Sequence, residues 1–525
     1  MGQRAGYRRI APLALAVASL ACGGIVAGCS SAQPAPTTST FSGAARPTGS
    51  WAYPNGDLGN TRDAAGSRIS SSNVASLKEA WTFKLSGTAA TGVSGTGSLA
   101  ATPVVVNGTV YLQDLYANVY AISLATGKLR WEYQANLAEK SGPGPDGVAV
   151  ANGLVYGDTS TAAFALNAAT GKVVWDDESL LNRGQGSFEI QPQVADGRVY
   201  LASAYGSGPG GGVILALAAA TGKELWSFST VTGAAPGVKA LGVGSGGAWE
   251  TPLVGADGSV TFGTGNPYQT IGEAISHPSR QLYTDSEVNL SAATGKLRWY
   301  YQAVPNDFKD YDMQLSPIAA TVHGVPAVIG GGKMGYVYAM NAATGSLLWK
   351  TPVGAHNGHD NDSALLLAHQ LTIKLPYTFE PGSLGGILTN MAVADGSVYL
   401  ATIDLPLTAK TLASVTGQGA TAAPTGEIEA LSLATGKVEW DTKVPTLPLG
   451  AATVSNDLVF TTLYNGELLA LNRATGAIVY RQKLPTTANS PIAITSNAVL
   501  VPAGGAATSA KGGGGNPQLV AYTVR

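Results

Sequence analysis

Cysteine is almost missing from this chain. There are two in 525 residues, Cys22 and Cys29. The stretch from residue 30 onward can therefore build no disulfide, no Cys-ligated zinc or iron–sulfur site and no c-type haem attachment motif. Charge is scarce as well: Asp, Glu, Lys and Arg make up 12% of the chain, about half the usual share of roughly 25%. No basic stripe and no aromatic–basic cluster is visible, which argues against nucleic acid as a partner. At 525 residues the chain is too long for one ordinary layered core unless it is built from repeats.

Long apolar runs are missing too, with one exception. Arg4, Arg8 and Arg9 precede "IAPLALAVASLACGGIVAG" (10–28), and no acid lies among them. A positive region followed by a short apolar one reads as a targeting segment. The run "VAGC" (26–29) resembles the lipobox of bacterial lipoproteins. That resemblance implies a signal peptide over 1–28, cleavage before Cys29 and acylation of the Cys29 thiol. Loss of three arginines takes the formal charge from −2 to −5. Residues 29–50 continue as a Ser/Thr/Pro/Ala-rich tether with too little apolar surface to fold. The expected location is outside the cytoplasm, held to a membrane through the lipid anchor only.

What is present in quantity is repetition. Seven segments share one pattern, among them "AISLATGKLRW" (121–131), "NLSAATGKLRW" (289–299) and "ALSLATGKVEW" (430–440). Each reads as a strand, a tight Thr-Gly turn and a second strand, with glycine supplying the positive φ that the turn needs. A second hairpin precedes each, as in "TPVVVNGTVYLQD" (102–114) and "QPQVADGRVYLAS" (191–203), and there are eight of these. The missing eighth partner is split between the two ends. "LKEAWTFKL" (77–85) supplies an outer strand and "QLVAYTVR" (518–525) the strand beside it. The pattern predicts an all-β fold over 51–525: an eight-bladed β-propeller of four-stranded antiparallel blades, closed by pairing the terminal strands. The turn glycines are 44, 51, 73, 50, 91 and 40 residues apart, so two blades carry long insertions.

With strands lettered A to D from the axis outward, the A–B and C–D turns share one face. The B–C loops and the D–A crossovers share the other. In "NDFKDYDMQ" (306–314), four charged residues fall within six positions of a D–A crossover. Asp310 and Asp312 stand two apart in it. Trp249, in "GSGGAWETP" (244–252), opens an A strand behind glycines that leave its indole uncovered, so that it can stack on a planar ligand. Asn266 in "FGTGNP" (262–267) and Lys333 in "GGGKMG" (330–335) fall in adjacent B–C loops. Oxygen donors in such a set suit a hard cation such as Ca²⁺. The remaining tryptophans at the repeat position are expected to pack between blades. The "HNGHDND" loop (356–362) carries two His and two Asp on the same face and reads as a polar loop or a weak metal site.

These residues resemble the pyrroloquinoline quinone (PQQ) dehydrogenases, the eight-bladed quinoprotein alcohol dehydrogenases. The likeness runs from "WAYPNGDLGNTR" (51–62) through every Trp-ended repeat. It implies that Trp249 stacks on PQQ and that Lys333 bonds its carbonyls. It implies further that Asn266, Asp310 and Asp312 hold Ca²⁺ or a lanthanide, and that Asp310 takes the proton of an alcohol or sugar hydroxyl. The second Asp, Asp312, marks the lanthanide-using branch. Three departures stand out. The family's metal-binding Glu falls near Ser207 in "YGSGPGGG" (205–212), where there is no acid. The adjacent-cysteine disulfide is absent. Leu388-Thr389 replaces the family's Asn-Trp. Without a haem motif, electrons leave through an external acceptor. The alternative is a non-catalytic propeller lipoprotein that binds proteins in the envelope.

Overall fold

The computed structural model describes residues 50–85, 97–137, 147–182, 185–204, 211–231, 246–414, 423–505 and 516–524. Residues 1–49, on which the expected signal peptide, Cys29 and all but the last residue of the expected tether fall, and Ser207 lie outside the described residues.

Eight antiparallel blades form the fold, as the repeat count predicts. Blade 4 is typical: Leu253–Val254, Ser259–Gly263, Ser286–Ser291 and Leu297–Gln302 pair in that order from A to D. In blade 5 the strands are Ile318–Val322, Val325–Gly332, Tyr336–Asn341 and Leu347–Pro352. The last blade joins the two ends of the chain. Lys78–Lys84 is its outer strand and pairs with Gln518–Thr523. B and C strands are buried on both faces, whereas D strands are exposed or half-buried, as in Leu129–Tyr133. Apolar burial between twisted, stacked blades is the main stabilising term.

The repeat motif has a physical explanation. Each repeat tryptophan donates from its indole N–H to a carbonyl in the following blade: Trp81 to Leu124 at 2.8 Å, Trp226 to Ala292 at 3.0 Å and Trp440 to Arg473 at 2.8 Å. The Thr-Gly turn of that following blade lies on the indole face. A Cβ on Gly127 or Gly295 would come within 2.7 Å or 2.6 Å of Trp81 or Trp226. Glycine is needed there both for its positive φ, +67° at each, and for the contact. The tryptophans thus do more than pack, because each also satisfies a turn carbonyl.

The segment 51–64 crosses the axis ahead of the outer strand of the closing blade. Trp51 bridges Val105, and Asp63 bridges Val454. Arg62 is fully buried and uses all five of its N–H groups. Nε donates to the Ala452 carbonyl, one Nη to Asn55 and Thr102, and the other to Thr453 and the Ile492 carbonyl. One side chain therefore ties the segment to blades on both sides of the ring closure.

The two long insertions lie on the face of the D–A crossovers. Helix α1 (Ile271–Ser276) starts with a capping box, in which Thr270 and Glu273 bond each other's backbone N–H. Helix α2 (Asp362–Leu367) packs against α1. A small ribbon pairs Tyr377–Phe379 with Leu407–Ala409. None of the described helices is long and apolar enough to cross a membrane.

Candidate active site

Asp310 and Asp312 lie in the crossover from strand D of blade 4 to strand A of blade 5, and Lys333 follows strand B of blade 5. The Lys333 ammonium bridges both carboxylates, at 3.0 Å from Asp310 and 2.5 Å from Asp312. The other oxygen of Asp312 accepts the Asn266 backbone N–H at 2.7 Å. Gly265 separates this carboxylate from Trp249. A Cβ there would meet the indole at 2.6 Å and the Asp312 carboxylate at 2.9 Å. All five residues picked out in the sequence are therefore brought together on one face.

The loop is held by its own side chains. Asp307 accepts the backbone N–H groups of Lys309 (3.0 Å) and Tyr311 (2.7 Å). Asp310 takes a left-handed conformation, φ +68°, uncommon for a residue other than glycine and worth a functional reading. Lys309 is buried, donates to the His359 carbonyl and lies 5.1–5.7 Å from the rings of Tyr311, Phe308 and Phe379. Burial pulls its ammonium down to about 8, against the fields of Asp362, Asp307 and Asp360. Lys309 thus joins the Asp310 loop to the insertion above it.

The "HNGHDND" loop forms two separate pairs rather than one cluster. His356 meets Asp360 at 2.7 Å through Nδ1, and its Nε2 faces the carbonyls of Gly335 and Val353. Only the imidazolium can donate to both sides, in keeping with a pKa raised, against the opposing cost of burial, by Asp360 and the two carbonyls. His359 pairs with Asp362, which also accepts the Tyr377 hydroxyl.

Could a cation sit here? Asn266 Oδ1 and Asp310 Oδ1 are buried acceptors without a hydrogen-bond partner, and buried polar atoms of this kind call for one. They fit a hard cation. Among the described residues, no three His, Cys, Asp or Glu side chains converge to hold a metal by themselves. A cation would need further oxygens from the backbone or from a bound ligand. Burial and the Asp312 carboxylate push Asp310 up to about 8 even with Lys333 beside it. One ammonium serves two buried carboxylates, so Lys333 by itself does not offset the burial of Asp310.

Beside Trp249 is a cavity of about 180 Å³ at the axis, lined also by Gln191, Glu250, Gln314, Thr389 and Asn390. Leu388 and Thr389, which replace the family's Asn-Trp, line it too. An indole wall with neutral amides and hydroxyls suits a planar, polar ligand.

Sequence reasoning missed several residues. Glu250, next to Trp249, faces the cavity. Asp285, Glu287 and Asn289 occupy alternate positions leading into strand C of blade 4, and all are buried. The signal was available in "DSEVNL" (285–290), where acids alternate with Val288 and Leu290 at the period of a strand. Neither carboxylate oxygen of Glu287 has a partner. It points into the next blade, where a Cβ on Gly330 would collide with it. Burial raises the Glu287 carboxyl well above its ordinary value. The folded chain then holds this proton more tightly than the unfolded one, so ionisation opposes folding. Stability should fall as pH rises from the unfolded pKa of about 4.5 toward the folded one. Glu287→Met should flatten that slope and gain about 1–3 kcal/mol near neutral pH, read by chemical denaturation at pH 5 and pH 8. Unchanged slopes would show that Glu287 is not the source.

A ring of eight blades with a lysine-bridged carboxylate pair and an indole-lined axial cavity is what a propeller of the quinoprotein class would present. Comparison with known proteins agrees. The family model "Glucose/ethanol/alcohol dehydrogenase, beta-propeller domain" matches residues 51–151 and 191–355, just over half the chain. The chain belongs to this family of PQQ-dependent dehydrogenase-like propellers. The model "Outer membrane protein assembly factor BamB" matches residues 424–522. Among curated proteins, the quinohemoprotein alcohol dehydrogenase ADH-IIG of Pseudomonas putida is 28% identical, over 54% of this chain and 42% of its own length. The quinoprotein alcohol dehydrogenase PedH of Pseudomonas putida is 27% identical, over 46% and 44%. The chain thus spans less than half the length of these relatives. The quinohemoprotein alcohol dehydrogenase of Comamonas testosteroni superposes with a TM-score of 0.78 at 22% identity, over 91% of this chain and 81% of the other. A europium-containing methanol dehydrogenase gives 0.74 at 19% identity, over 91% and 99%. At these identities the superpositions speak for the fold.

Proposed function

We propose that this chain is an extracytoplasmic, membrane-tethered, PQQ-dependent dehydrogenase that oxidises an alcohol or sugar-type hydroxyl and hands electrons to an external acceptor. The observation that carries the reading is the meeting of Asp310, Asp312, Asn266 and Lys333 beside the cavity that Trp249 lines. PQQ, when bound, would supply the two-electron sink, and a Ca²⁺ or lanthanide ion a positive charge beside it. Asn266, Asp310 and Asp312 would hold the ion. Trp249 offers its face for stacking, and Lys333 has an ammonium for the ligand's oxygens. Asp310 serves as general base for the substrate hydroxyl, with Oδ2 on Lys333 and Oδ1 facing both the ion and the substrate proton. Tethering rests on Arg4, Arg8, Arg9 and the "VAGC" run ending at Cys29.

Calorimetric titration of the full chain with PQQ, in Ca²⁺ or La³⁺, tests this. Metal-dependent binding is expected, weakened at least about tenfold in Asp312→Ala, since losing a charged ligand costs roughly 1.4 kcal/mol or more. Absence of binding with either metal would overturn it. The second reading, a protein-binding scaffold of the envelope, is favoured by the match of residues 424–522 to an assembly-factor model. Under it, partner capture survives replacement of all five site residues.

A further inference from the structure

Glu250 is the one charged side chain that lines the axial cavity among the described residues. It sits next to Trp249 in the chain, on the wall a stacked ligand would touch. One of its oxygens accepts the Asn390 amide at 2.8 Å. The nearest cation is Arg62, beneath it, and Arg62 has no donor to spare. All five of its N–H groups are committed to Asn55, Thr102, Thr453 and two carbonyls. Its field reaches Glu250 without a hydrogen bond between them. The other groups on Glu250, Asn390 and Ser316, are neutral. Lys333 and Asp312 lie on the Gly265 side of the indole and do not line the wall that Glu250 forms.

On the Glu250 wall, a ligand such as PQQ, a flat ring system bearing carboxylates, would therefore meet a negative charge that no cation hydrogen-bonds. Two like charges that share one chamber repel, and protonation of one relieves the repulsion. We propose that Glu250 is a proton-carrying wall of the chamber, so that each anionic planar ligand enters together with one proton, which Glu250 holds while the ligand is bound. The inference rests on the cofactor reading above. No other reactant is needed: solvent supplies the proton on binding and takes it back on release. Independent of the geometry, burial lifts the Glu250 carboxyl to about 7, so that the proton is available near neutral pH.

The sign follows from linkage. Below about pH 7 Glu250 is already protonated and binding takes up no proton from it. Above, each pH unit should weaken binding by up to about tenfold. The test is PQQ binding to the full chain between pH 5.5 and 8.5 with Ca²⁺ present, for wild type and Glu250→Gln. Calorimetry in two buffers of different ionisation enthalpy counts protons. Wild type should take up nearly one more proton per PQQ at pH 8 than the variant does. At pH 8 the variant should bind about tenfold tighter than wild type, and at pH 5.5 about equally. Glutamine keeps an oxygen for Asn390, and an unchanged melting curve checks that the variant is folded. Glu250→Asp, which restores the acid, should restore the pH dependence. If wild type and Glu250→Gln show the same pH profile and proton count, the proton-carrying role is overturned while the cofactor reading stands. If neither binds PQQ at any pH, the cofactor reading fails and this inference falls with it.

Discussion

Arg62→Met is expected to lower the unfolding free energy by about 3–5 kcal/mol, the cost typical of removing one member of a buried, hydrogen-bonded charged network. Methionine fills much of the volume but returns none of the five hydrogen bonds. Asn55, Thr102, Thr453 and the carbonyls of Ala452 and Ile492 would be left at the centre of the ring with unmet acceptors, and each such group costs about 1–3 kcal/mol where it is buried. Glu250 would lose the only positive field on it. Arg62→Lys should rescue little, because an ammonium has three donors and no planar fork. Arg298 offers the control. Its ion pair with Asp257 is about a third exposed on the arginine side, and Arg298→Met should change stability by less than about 1 kcal/mol. Denaturant midpoints at constant slope would measure both. A loss under about 1 kcal/mol for Arg62→Met would mean that water takes over the orphaned acceptors, and that the segment 51–64 is not what fastens the ring.

Most of the architecture was legible because a propeller writes its geometry as a period. The Thr-Gly turns and their tryptophans recur, and the contact that makes them recur is one indole on one turn of the next blade. The closing blade could be found by counting half-units at the ends. The face assignment of Asp310, Asp312, Asn266, Lys333 and Trp249 needed only the alternation of strand directions. What the sequence hid were relations between blades. Glu287 is one of 33 acids in the chain until Gly330 of the next blade is seen to make room for its carboxyl. Lys309 looked like one more charge in a polar loop. Its burial among three rings of the loop and the insertion depends on residues 70 positions apart. Arg62 carries no motif at all, and its importance comes from the ring axis, where segments distant in sequence meet.

Asp310→Asn is expected to cut turnover by about 10²–10⁴-fold, the usual worth of a positioned general base, while leaving PQQ and metal binding within about tenfold of wild type. The split follows from the two oxygens of the carboxylate. Oδ2 meets Lys333 at 3.0 Å, whereas Oδ1 is buried with no partner. Asparagine can keep one acceptor oxygen on the lysine or the cation, and it has the same shape. It cannot take a proton. Asp312 differs: with Oδ1 accepting the Asn266 backbone N–H and Oδ2 facing Lys333 it is not placed to take a proton, and its part is to add negative charge that holds the ion. Asp312→Asn should therefore lose its effect on turnover when metal is raised to saturation, and Asp310→Asn should not. The base must be ionised to act, so wild-type turnover should rise with pH through the pKa of Asp310. The residual rate of Asp310→Asn should lack that limb. Steady-state rates with an artificial dye acceptor, at saturating and limiting metal, would separate the two variants. Equal rescue of both by metal would assign Asp310 to metal holding alone and move the search for the base to another group facing the cavity.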